Sequence, residues 1–153
     1  MIPPIPDGPP VFEREITLPA ALSHLDQLLA WIETALEDYA CPIKTSQQLT
    51  MVTEEAFVNI ANYAYPGKTG EMILRTGRAG KALALQFEDG GIPFNPLEWP
   101  NPKTKGTIEE RNIGGLGIYL VKTMTDHVTY QRLNGKNLLT IFKTPDAAGE
   151  PSR

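Results

Sequence analysis

Cysteine occurs once in these 153 residues, at Cys41. A single thiol cannot build an intramolecular disulfide framework, nor a zinc site made of several thiolates. Positive charge is also short, since 14 Lys and Arg against 18 Asp and Glu leave a formal charge of −4. Without a surplus of cations to displace phosphate counterions, the balance argues against a general nucleic-acid binder. No apolar run reaches the roughly 18 residues that a membrane span needs. The opening Met1-Ile2-Pro3-Pro4-Ile5-Pro6 has neither a basic region nor a continuous apolar one, which argues against a signal peptide. These absences lead to the expectation of a soluble, cytoplasmic protein with no direct nucleic-acid or membrane partner.

What is present suits one globular domain. The apolar fraction is 41%, too high for a disordered chain. Residues 1–10 carry five prolines and one glycine and read as a disordered arm. Residues 11–144 read as a single domain, and 145–153 as a flexible tail.

Within the domain, Val11 to Leu18 alternates and reads as a strand. Ala20 to Ala40 places Leu22, Leu25, Leu28, Leu29, Ile32, Leu36 and Tyr39 at helical spacing, and Pro42 ends the run. Thr45 to Tyr65 reads as a second helix with the stripe Leu49, Val52, Ala56, Ile60 and Tyr63. Glu71 to Arg78 and Lys81 to Glu88 form a hairpin across Ala79-Gly80. Residues 90–113 show no period and read as a long loop, of the kind that often serves as a lid. Gly114 to Asp126 becomes a third helix. Val128 to Leu133 and Leu138 to Lys143 form a second hairpin across Asn134-Gly135, a good type I′ pair. Hairpin-linked strands cannot all be parallel, so an α+β fold is expected, its sheet mostly antiparallel or mixed, with helices on one face.

Three clusters could carry chemistry. On the second helix, Glu55 and Asn59 are four residues apart and share a face beside the core stripe. A carboxylate there can accept a proton, and an amide oxygen can ligate a hard cation such as Mg²⁺. After the third strand comes Glu88-Asp89-Gly90-Gly91-Ile92-Pro93-Phe94. Asp89 ends an apolar strand, where a carboxylate is costly unless something donates to it. An exocyclic adenine amine would suit, and the glycines would let backbone approach a flat ring. Gly114-Gly115-Leu116-Gly117 opens a helix, where unpaired N–H groups and the positive end of the dipole favour an anion. Taken singly, each has a plainer reading: a solvated helix face, an Asp-Gly turn, a loop–helix joint.

Taken in order, they resemble the GHKL ATP-binding superfamily, and within it the small anti-sigma-factor serine/threonine kinases of bacteria. Glu55-Ala56-Phe57-Val58-Asn59 is similar to that family's N box. Asp89-Gly90-Gly91-Ile92-Pro93-Phe94 is similar to its first glycine box, and Gly115-Leu116-Gly117-Ile118-Tyr119-Leu120-Val121 to its second. The likeness runs from about residue 10 to 144. It implies a two-layer α/β sandwich of the histidine-kinase-like ATPase type, with helices on one face of a mixed, mostly antiparallel sheet. It also implies ATP and Mg²⁺ as cofactors. Glu55 would be the general base and Asn59 the Mg²⁺ ligand. Asp89 would bind the adenine amine with Gly91 beside the ring, and Gly115 and Gly117 would lie against the phosphates with Leu116 between them. Some relatives carry an arginine four residues before the last glycine of the second box. Here that position is Ile113, and Arg111 lies two residues earlier.

The function implied is an anti-sigma factor that phosphorylates a serine on a STAS-domain anti-anti-sigma protein and sequesters a sigma factor, and the resemblance also implies a homodimer among its partners. Two alternatives stand beside it. One is a histidine-kinase catalytic fragment, for which His24 on the first helix would be the candidate acceptor. The other is a module that binds a partner in a nucleotide-dependent way without transferring phosphate.

Overall fold

The computed structural model describes residues 8–98 and 121–145. Among the described residues one strand, two consecutive long helices and four further strands follow in order: β1 Val11–Pro19, α1 Leu25–Asp38, α2 Ile43–Tyr63, β2 Glu71–Ala79, β3 Ala82–Asp89, β4 His127–Leu133 and β5 Lys136–Lys143. The strands form one sheet in the order β1-β2-β3-β5-β4. All four pairings are antiparallel, so the sheet contains no parallel pair among the described residues.

Local chemistry accounts for most boundaries. At the first hairpin the turn falls on Gly80-Lys81 rather than Ala79-Gly80, because Ala79 and Ala82 still pair. Gly80 supplies the left-handed φ of 61° at the first turn position, which suits a type II′ turn. At the second hairpin Asn134 and Gly135 take φ of 53° and 77°, the type I′ pattern that the sequence foretells. Pro42 lies beyond the end of the first helix, which stops at Asp38 with Ala40 in the left-handed region at φ 54°. It is the N-cap of α2, which therefore begins at Ile43, two residues earlier than expected. The stretch expected as one helix from Ala20 is split into a 3₁₀ turn at Leu22–His24 and then α1. Leu22 is left exposed on that turn instead of joining the core.

Both helices pack on one face of the sheet. Leu28, Ile32 and Leu36 of α1 and Leu49, Val52, Ala56, Phe57 and Ile60 of α2 form one core with Met72, Leu74, Leu85, Phe87 and Ile141 of the strands. Burial of side chains of this size stabilises by about 1.5–3 kcal/mol each. The other face is polar at its centre. Arg75 donates to Glu15, Gln86 and Glu88, and Gln86 continues the row to Thr140.

This arrangement brings the C-terminal end of β3 beside the C-terminal half of α2. β5 lies next to β3 although some fifty residues separate them in the chain, and its first residues flank the end of β3. Residues 121–124 are helical and precede β4, in agreement with the expected third helix. The start of that helix lies outside the described residues. So do the arm up to residue 7, the tail from 146, Arg111, Ile113, and the candidate site residues Gly115, Leu116 and Gly117.

Candidate functional site

Two of the three sequence clusters meet. Asn59 of α2 and Asp89 at the end of β3 line one hollow, together with Ala56, Ile60, Phe87, Phe94, Pro96, Tyr130, Asn137 and Leu139. Asn59 and Asp89 are each 6% exposed. Polar groups buried this deeply in an otherwise apolar wall carry a desolvation cost and call for partners. The enclosed space is about 30 Å³, room for about two waters. A planar base needs the wall of Phe94 and Pro96 to move outward. Phe94, which leads toward residue 99, is stacked on Tyr63 of α2 with centroids 6.2 Å apart.

Asp89 is held on one side only. Its Oδ1 accepts the N–H of Gly91 and the side-chain amide of Asn137, each at 2.9 Å. Its Oδ2 receives no hydrogen bond among the described residues. Burial raises the Asp89 pKa above the ordinary aspartate range. The two donors and the charge of Arg132 oppose that rise, and neighbouring Glu88 adds to it. A buried carboxylate with one spare oxygen is suited to accept a hydrogen bond from a ligand N–H.

Gly91 shows why a side chain is missing there. A Cβ would lie 2.2 Å from the carbonyl oxygen of Ala64, just past the end of α2. The next amide, Ile92, donates to that same carbonyl at 2.9 Å. The Gly91 carbonyl in turn accepts from Arg132 at 2.9 Å. Close approach of backbone to α2 is thus a sufficient reason for this glycine. At Gly90 the N–H donates to the Tyr65 hydroxyl at 2.7 Å, and that hydroxyl donates to the carbonyl of Glu71 at 2.6 Å.

Glu55 lies one helical turn from Asn59, on the same side of α2. It is half-buried and sits among Met51, Val52, Val121 and Met124, which leave no room for a water between them. The end of the third helix therefore lies beside Glu55. Burial raises the Glu55 pKa, and the adjacent charge of Glu54 raises it further. A partly buried carboxylate whose pKa is raised suits the role of proton acceptor. The Lys122 ammonium donates to the carbonyl of Leu97 at 3.2 Å, which ties the two described flanks of the 99–120 segment together.

Several residues escaped the sequence reading. Asn137 and Tyr130 line the hollow, Arg132 anchors Gly91, and Tyr65 anchors Gly90. No local pattern marks them. Asn137 lies opposite Asp89 only through the β3–β5 register, which the sequence does not announce.

Among the described residues no three His, Cys, Asp or Glu side chains cluster as a metal cage. Mg²⁺ does not need one, because it usually keeps waters and takes one or two protein oxygens beside substrate phosphates. Asn59 fits that role: its side chain makes no hydrogen bond among the described residues, and it faces the hollow beside Asp89. None of the described helices is long and apolar enough to cross a membrane.

Comparison with known proteins finds protein kinases among the relatives of this chain. The serine/threonine-protein kinase BtrW of Bordetella bronchiseptica is 28% identical over 94 residues, covering 61% of this chain and 66% of that protein. The serine-protein kinase RsbW of Bacillus subtilis is 30% identical over 109 residues, covering 68% of this chain and 66% of that protein. RsbW of Bacillus licheniformis is 32% identical over 94 residues, 56% of each chain. The chain thus spans no more than about two-thirds of the length of these curated relatives. A family model described as the histidine kinase-like ATPase domain matches residues 18–143, which hold both helices and the whole sheet from the end of β1. The chain belongs to the histidine kinase-like ATPase domain family.

Proposed function

We propose that this chain binds ATP with Mg²⁺ and transfers the γ-phosphoryl group to a serine of a partner protein. The observation that carries the reading is the Asp89 carboxylate, 6% exposed, with Oδ1 accepting two hydrogen bonds and Oδ2 without a donor among the described residues, in a hollow shared with Asn59. The kinase names of the relatives support the direction of transfer.

In this reading Asp89 accepts the adenine amine and Gly91 lies beside the ring. Gly115, Leu116 and Gly117 line the phosphates. Asn59 holds Mg²⁺, which neutralises phosphate charge when bound. Glu55 takes the proton of the incoming serine hydroxyl. As that oxygen bonds to the γ-phosphorus, the bond from phosphorus to the bridging oxygen breaks and ADP leaves. Catalysis of this kind rests mostly on positioning and charge neutralisation.

The partner is a STAS-type antagonist protein, and the biological role is that of an anti-sigma factor that sequesters a sigma factor in the cytoplasm, as a homodimer. This finer assignment rests on the family likeness.

The test is a nucleotide titration with and without Mg²⁺ on the wild type and Asp89→Asn, followed by phosphotransfer to a candidate partner. Weaker binding by the variant and acid-stable phosphoserine on the partner are expected. Equal affinity in the two proteins removes the adenine assignment. Acid-labile phosphate on this chain makes it a histidine-kinase fragment, and binding without transfer makes it a nucleotide-dependent binding module.

A further inference from the structure

Asn137 is 4% exposed and uses every hydrogen-bonding position of its amide. Its Nδ2 donates to Asp89 Oδ1 at 2.9 Å and to the carbonyl of Ile92 at 2.8 Å. Its Oδ1 accepts the N–H of Phe94 at 3.3 Å and the hydroxyl of Tyr130. Two of these partners have a fixed sense. A backbone carbonyl only accepts, and a backbone N–H only donates. They determine which way the amide points, so Nδ2 faces Asp89 and Tyr130 must be the donor to Oδ1.

Asp89 Oδ1 then receives two donors, from Asn137 and Gly91. An oxygen so engaged cannot carry a proton without displacing one of them. Any proton on Asp89 resides on Oδ2.

We propose that Asn137, oriented by Tyr130, is a positioning residue: it anchors Asp89 Oδ1 and the Ile92–Phe94 strap together, so that Oδ2 alone is presented to the hollow as an acceptor. The selectivity that follows rests on Asp89 being the base-binding carboxylate. The anchoring itself does not. An ionised, immobilised Oδ2 accepts from a purine that carries an amine and repels one that carries a carbonyl at that place. Freeing Oδ1 lets the carboxylate rotate, and the discrimination weakens.

Other groups also face Asp89. Arg132 of β4 attracts it and Glu88 of its own strand repels it. Tyr65 reaches Gly90 from beyond α2, and Lys136 of β5 lies beside Gly90. Asn59 from α2 is neutral.

The experiment follows the ¹³C signal of the Asp89 carboxyl against pH in the nucleotide-free full chain, for wild type, Asn137→Ala and Tyr130→Phe. ATP and GTP affinities are measured on the same proteins. Loss of the Nδ2 donor removes an interaction that favours the ionised form, so the Asp89 midpoint moves to higher pH in Asn137→Ala and by less in Tyr130→Phe. ATP affinity falls roughly tenfold or more in Asn137→Ala, and the preference for ATP over GTP narrows. An Asp89 midpoint that stays put in both variants overturns the proposal. A wild type that binds neither nucleotide overturns the adenine reading instead, and the carboxyl titration still decides the anchoring. Should Asn137→Ala not fold, Tyr130→Phe decides alone: the Asn137 side-chain amide protons exchange faster there if Tyr130 orients the amide, and at the wild-type rate if it does not.

Discussion

Asp89 and Asn137 are 48 residues apart in the chain and face each other across adjacent strands, with the Asn137 amide donating to Asp89 Oδ1 at 2.9 Å. This contact leaves one oxygen of a buried carboxylate for something else. Its consequences are open to measurement.

The raised pKa of Asp89 gives two pH dependences of opposite sign. Between the ordinary aspartate value and the raised one, the folded state holds a proton that the unfolded state has lost. Stability therefore falls as pH rises through that window. Nucleotide affinity rises through the same window, because the ionised Oδ2 is the acceptor. Urea denaturation and ATP titration across this range test both, and Asp89→Asn flattens each profile. Affinity that falls with pH in the wild type contradicts the acceptor role.

Glu55→Ala removes the proposed base and leaves the hollow of Asp89 intact. Phosphotransfer is expected to drop about 10²–10⁴-fold, with ATP affinity within a few fold of wild type. Phosphate transfer at the wild-type rate would exclude Glu55.

Glu54→Gln removes the like charge that helps raise the Glu55 pKa. The acid limb of the rate against pH moves to lower pH, while the rate on the plateau is little changed. A limb that does not move means that another group sets it.

Gly91→Ala places a methyl group 2.2 Å from the Ala64 carbonyl oxygen. Relief requires backbone movement, at a cost of about 1–3 kcal/mol. Gly90→Ala meets Lys136 Nζ at 3.2 Å, the end of a flexible side chain that can swing away. Thermal melts should separate the two variants clearly. Equal melting temperatures would mean that the 91–92 backbone is free to yield.

Phe57→Ala hollows the core between α2 and the sheet, where Phe57 is fully buried. The loss is about 3–5 kcal/mol, measured by denaturant unfolding. A loss below 1 kcal/mol would place Phe57 outside the cooperative core.

Much of the architecture was legible in the chain. The apolar stripes at Leu28, Ile32 and Leu36 and at Leu49, Val52, Ala56 and Ile60 are buried as their spacing foretells. Asn134-Gly135 makes its turn. Boundaries were less legible: the first helix stops at Asp38, short of the Pro42 expected to end it, and Pro42 instead caps α2. Of the candidate site, Asn59 and Asp89 meet and Glu55 stands one turn away, whereas Asn137, Tyr130 and Arg132 carried no mark.

By itself the sequence determined the order of the main helices and strands and the Asn134-Gly135 turn. Periodicity, capping and turn geometry depend on a few neighbours and are written locally. Only the tertiary structure decided that β5 lies beside β3, that Asn137 therefore holds Asp89, and that burial raises the pKa of Asp89 and Glu55. Desolvation and register are collective properties, set by groups brought together from distant parts of the chain, and no short stretch of sequence contains them.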